Sequence, residues 1–158
     1  MTAAFTVRPA RMDEVEAVAR LLNEHSRRLF GVDDQPVNEL RQYWESPDVD
    51  FDNDVLVAEG RDGSLVGYAD LGVHADHVWL DLRGMEPEPL RALLEAIEER
   101  AASKKPDANF IGYTSGEDAL VRELGLRGCS ALVSDGDRPR GGPRGAGMAC
   151  GLHCSRDA

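Results

Sequence analysis

The 158-residue chain is long enough for one domain that covers both faces of a modest sheet, and too short for two. Its 29 Asp and Glu against 18 Lys and Arg give a net charge of -11, which repels phosphate backbones and anionic membranes and so argues against nucleic-acid or membrane partners. Met1 to Thr6 lack a basic and apolar leader pattern, and no stretch has the apolar length of a membrane span, so the cytoplasm is the expected location.

Taken in chain order, Phe5-Thr6-Val7-Arg8-Pro9-Ala10 alternates apolar and polar residues and predicts a short strand that Pro9 closes by removing a ladder donor. Asp13 with Glu16 three residues on resembles a capping box, and Val15, Val18, Ala19 and Leu22 follow at helical spacing. Pro36 opens a second, shorter helix through Val37, Leu40 and Trp44, which Ser46-Pro47 ends. Asp54 to Glu59 and Leu65 to Val73 are apolar-rich runs around an Asp62-Gly63 turn, and His77 to Arg83 adds a third run, together an antiparallel meander. Leu90, Leu93, Leu94 and Ile97 mark an amphipathic helix to about Ser103. Asn109 to Thr114 reads as a strand, and Asp118 to Leu124 as a short helix that Gly125 caps. The expected fold class is α/β, of the α+β kind, with a mostly antiparallel mixed sheet in the order β-α-α-β-β-β-α-β-α.

The composition changes at Gly128. From there on the chain holds four Arg, three Asp, seven of the sixteen Gly and all three Cys, with no Glu or Lys. We therefore divide the sequence into a domain over residues 5–127 and a Gly/Arg-rich tail over residues 128–158, expected to be irregular. One permitted back-translation with a single G removed at Gly128 reads VVRHSYRM followed by EIDPE, a strand and then an acidic linker. That reading makes the tail an out-of-frame segment and the closing strands of the domain lost.

The order of elements resembles the GNAT superfamily of acyl-CoA N-acyltransferases. Val7-Arg8-Pro9-Ala10 with Asp13-Glu14 resembles that family's first strand and helix start. Val55-Leu56-Val57-Ala58-Glu59, Asp62-Gly63 and Leu65-Val66-Gly67-Tyr68 resemble its central hairpin, Trp79-Leu80-Asp81-Leu82 its fourth strand, and Ala119 to Leu126 its last helix and turn. The resemblance implies transfer of an acetyl group from acetyl-CoA to a small-molecule or peptide amine, with no metal. It also suggests the N-terminal half of a tandem protein, whose second acyltransferase domain would be the partner.

The resemblance places the acyl donor along Leu80, Leu82, Arg83 and Gly84, with its pyrophosphate at the following loop and helix start. Arg83-Gly84-Met85-Glu86-Pro87-Glu88-Pro89 departs from that family's glycine-rich pattern: it has one Gly, two Pro without N–H groups and two carboxylates. Val121 stands where many members carry the Tyr that protonates the leaving thiolate. Asp81, Asp70 and His74 are candidate bases, and Tyr113 is a candidate acid. Against each stands a plainer reading, a solvent-facing polar residue on a half-buried strand or a Tyr packed at a rim. Cys129, Cys150, His153 and Cys154 have spacings of metal ligands, but the glycine-rich surroundings and the missing second ligand pair favour no metal.

Overall fold

A computed structural model describes residues 4–73, 77–105, 109–114, 130–133 and 150–154, the last three segments and His77 as backbone alone. Strand β1 (Phe5–Pro9) leads into a single 3₁₀ turn over Met12–Glu14 and helix α1 (Val15–Phe30). The predicted Asp13/Glu16 box does not form. Instead the Glu14 carboxylate folds back to accept from the Arg11 backbone N–H at 2.9 Å and from Arg8 Nη1 and Nη2 at 3.0 and 2.5 Å. A helix start therefore shares its carboxylate with β1, and Arg8 also donates to Glu59 at 2.6 Å. Gly31, at φ 77°, ends α1 in the left-handed conformation that glycine adopts without strain.

Helix α2 (Val37–Glu45) starts after Pro36 and ends at Ser46, as the sequence predicts. The one-turn helix α3 (Phe51–Asp54) was not predicted, because FDND carries no apolar period. Tertiary ion pairing holds it: buried Asp54 accepts from Arg100 at 3.3 Å and from Lys104.

Strands β2 (Val55–Gly60), β3 (Leu65–Val73) and β4 (His77–Gly84) form the antiparallel meander. The turn between β2 and β3 closes through Gly60 N–H to Ser64 O at 2.8 Å, with Gly63 at φ 83°. Helix α4 (Pro87–Lys104) returns the chain to β5 (Asn109–Thr114), which pairs parallel with β4. The expected helix over residues 118–124 lies outside the described residues.

The sheet then continues into β6 (Ser130–Val133) and β7 (Cys150–Cys154), giving the order β1-β2-β3-β4-β5-β7-β6. Two short strands thus lie within the tail that the sequence predicts to be irregular. β5 has an antiparallel neighbour in β7, which satisfies backbone groups along what would be an open edge. The signals passed over were Ala131-Leu132-Val133 and the single Leu152 of CGLHC, short runs set among glycines.

Alternation along β2, β3 and β4 builds two cores. Leu56, Ala58, Ala69, Leu71, Leu80 and Leu82 pack under Leu90, Leu93, Leu94, Ile97 and Ala101 of α4. On the opposite face Val55, Val57 and Tyr68 meet Val15, Val18, Ala19 and Leu22 of α1 and Leu40 and Trp44 of α2.

Candidate active site

Pairing between β4 and β5 runs from His77↔Asn109 to Leu80↔Gly112 and stops there. β4 continues four residues further, pairing only with β3, and β5 continues through Tyr113 and Thr114. Among the described residues, Asp81 to Gly84 thus have no strand partner on the β5 side, and the sheet opens where Asp81 begins. An opening of this kind leaves backbone donors and acceptors free to bind an extended ligand.

The side chains at this opening divide by alternation. Leu80 and Leu82 are buried under α4, so only their backbone can face a ligand. Gly84 ends the strand with Leu90 and Val66 O only 3.2 Å from where a Cβ would lie. Asp81 and Arg83 turn to the α1 and α2 side, next to Asp70 and Tyr68 of β3, their register partners.

Arg83 is the residue that the structure most clearly reassigns. Its side chain, 13% exposed, donates from Nε to Asp81 Oδ1 at 2.8 Å and from Nη1 to Ser26 Oγ at 3.3 Å, with Asp34 Oδ2 at 3.6 Å. Ser26 in turn donates to Asp34. Burial opposes its charge, but Asp81, Asp34 and Asp70 outweigh burial and raise its pKa above the ordinary arginine value. The guanidinium is thereby committed to pinning the connection between α1 and α2 onto β4, and is not spare for a phosphate.

Asp70 is buried, at 5% exposure. Tyr68 donates its hydroxyl to Asp70 Oδ2 at 2.5 Å, and Tyr43 donates to Oδ1 at 3.4 Å. Trp44 Nε1 donates to the Tyr68 oxygen at 3.2 Å, which directs the Tyr68 proton at the carboxyl. Burial and the neighbouring Asp81 charge push the Asp70 carboxyl up to about 7, against the opposing pull of the two phenols and Arg83. Both phenol pKa values are raised, by burial first and by Asp70 next. The sequence named Asp70 as a candidate but not Tyr43, Tyr68 or Trp44. Tyr68 at strand parity with Asp70 was the available signal.

The other candidates fare differently. Asp81, with a side chain 23% exposed, reaches solvent at the opening. Tyr113 lies on β5 opposite Gly151 of β7, and its side chain is outside the described residues. His74 and Val121 are outside them altogether. The connection from β4 to α4 is only Met85-Glu86, and α4 begins with Pro87 and Pro89 in its first turn. Two of its first N–H groups are missing by chemistry, Leu90 N–H is bonded to Glu86 O at 3.4 Å, and Glu88 adds negative charge. This helix start therefore offers an anion fewer backbone donors than one without proline. Among the described residues no helix is long and apolar enough to cross a membrane, and no group of side chains is arranged to hold a metal.

Solved structures share this architecture. The ribosomal-protein-alanine N-acetyltransferase of Brucella melitensis superposes with a TM-score of 0.67 at 19% identity, over 95% of this chain and 99% of that one. The GNAT superfamily phosphinothricin acetyltransferase of Sinorhizobium meliloti, solved in complex with AcCoA, gives 0.68 at 13% identity, over 96% and 87%. The chain has the fold of the GNAT N-acetyltransferases. A GCN5-related N-acetyltransferase of Sphaerobacter thermophilus gives 0.65 at 16% identity, over 88% of this chain but only 50% of that one, so the chain spans half the length of that protein. No family model and no curated protein sequence matches the chain.

Proposed function

We propose that the chain is a GNAT-type N-acetyltransferase domain that holds the thioester end of acetyl-CoA in the opening beside β4 and grips its phosphates weakly. The observation that carries this reading is the end of β4–β5 pairing at Leu80 and Gly112, immediately before Asp81. Backbone groups of Leu80, Leu82, Arg83 and Gly84 would hold the pantetheine arm. A primary amine of a small molecule or peptide would enter from the α1 and α2 side. Asp81, or His74, takes its proton; the nitrogen lone pair forms the C–N bond; the C–S bond breaks; and the thiolate takes a proton from Tyr113. Calorimetric titration with acetyl-CoA, followed by an amine acetylation screen, tests this. Binding with transfer that Asp81→Asn abolishes supports it, and transfer unchanged by Asp81→Asn overturns the role of Asp81.

The start of α4 favours a second reading, a non-catalytic domain that supports a catalytic partner domain in the cytoplasm. The double length of the Sphaerobacter protein is in keeping with it. On this reading the tail from Gly128 is out of frame, and genomic reads with codons incompatible with the restored frame would reject that part. A folded sample that binds no acetyl-CoA but raises the activity of an adjoining domain supports the second reading over the first.

A further inference from the structure

Asp70 and Asp81 stand directly opposite one another on β3 and β4. Such partners on one face of an antiparallel pair have Cβ atoms about 4.5–5.5 Å apart, and two like charges there repel. The surroundings sort the two carboxyls. Asp81 is the one that meets a cation, Arg83 Nε at 2.8 Å, and it is the one with access to solvent. Asp70 is buried, and its hydrogen bonds are to the phenols of Tyr43 and Tyr68.

We propose that Asp70 and Asp81 form an opposed carboxyl pair in which Arg83 fixes the negative charge on Asp81, Asp70 takes up a proton below neutral pH while Asp81 stays ionised, and Tyr43 links Asp70 to the surface. Every element packed on this face contributes to the sorting. α2 brings Tyr43, with 38% of its surface exposed, and Trp44, which orients Tyr68. β4 brings Asp81 and Arg83; the connection after α1 brings Asp34, paired to Arg83; α1 brings Ser26, which accepts from Arg83, and the buried His25. The raised titration of Asp70, driven by burial and then by Asp81, agrees with this arrangement.

Below neutral pH the pair gives the opening one negative charge instead of two, matched to a singly charged ammonium. Its catalytic meaning rests on Asp81 acting as the base proposed above. The sorting of the two carboxyls itself does not, so its test needs no acetyl transfer.

The test is a carboxyl ¹³C NMR titration of the full chain. The Asp70 carbon is expected to titrate at least about 2 pH units above the exposed aspartates, and Asp81→Asn to lower that midpoint by at least about 1 unit, since the opposing charge is gone. Infrared difference spectra near about pH 6 should show a protonated carboxyl band that Asp70→Asn removes, a readout that survives if Asp81→Asn fails to fold. An Asp70 carbon that titrates with the exposed aspartates, a midpoint unmoved by Asp81→Asn, or an absent band overturns the proposal.

Discussion

On the α4 side of the sheet, β2, β3 and β4 present Leu, Ala and Val to a helix that presents Leu, Ile and Ala in return. On the α1 and α2 side, the same strands present Val55, Val57 and Tyr68, and then Asp70, Asp81 and Arg83. The difference arises within two residues of β3, between Tyr68 and Asp70. An apolar face can be packed by volume alone, whereas the polar patch is tolerated only because its groups satisfy one another. One face closes the fold, and the other holds carboxyl groups at the point where the sheet opens.

This contrast can be broken from either side. The largest effect is expected for Arg83→Met, which leaves Asp81 and the buried Asp34 without their cation and should cost about 3–5 kcal/mol in denaturant unfolding. A cost below about 1 kcal/mol would show that the polar patch behaves as a surface ion pair. On the apolar face, Leu93→Ala should cost about 2–5 kcal/mol as a core truncation. It should cost less in a Gly67→Ala background, because a Cβ at residue 67 would lie 2.6 Å from Leu93 Cδ1 and needs that methyl removed.

The pH dependence separates the faces further. Asp70 binds its proton more tightly folded than unfolded, so its contribution to stability is full below the unfolded value of 3.8 and is lost as pH rises through about 7. Stability should therefore fall by on the order of 2 kcal/mol between pH 5 and pH 8, and Asp70→Asn should flatten that slope. Glu14, lowered chiefly by its bonds to Arg8, works in the opposite sense and loses its contribution as pH drops below its unfolded value of 4.5. A smaller effect is expected for Trp44→Phe, which removes the donor to Tyr68 and part of a buried ring and should cost about 1–3 kcal/mol in denaturant unfolding.

Much of this organisation was legible in the sequence. Periodicity located α1, α2, the meander, α4 and β5, because each has either an unbroken apolar stripe or strict alternation. The one-turn α3 was not legible, since a single apolar residue, Phe51 against Trp44, and ion pairs from Asp54 to α4 hold it. β6 and β7 were hidden because their pairing is backbone to backbone, and glycine-rich runs advertise no face. At the site, Asp70 and Asp81 could be named from residue type, but their direct opposition depends on the β3–β4 register. Arg83 was placed toward the donor by resemblance, while strand parity turns it to the opposite partners.

The most direct test of the account is a pair of calorimetric titrations, acetyl-CoA against S-acetylpantetheine, which has the thioester arm without the phosphates. The account predicts that both bind in the millimolar range, within about tenfold or 1.4 kcal/mol of each other, because the start of α4 offers the phosphates little. Micromolar acetyl-CoA with acetylpantetheine about a hundredfold weaker would contradict the weak phosphate grip, and no heat from either with a folded sample would contradict the donor opening itself.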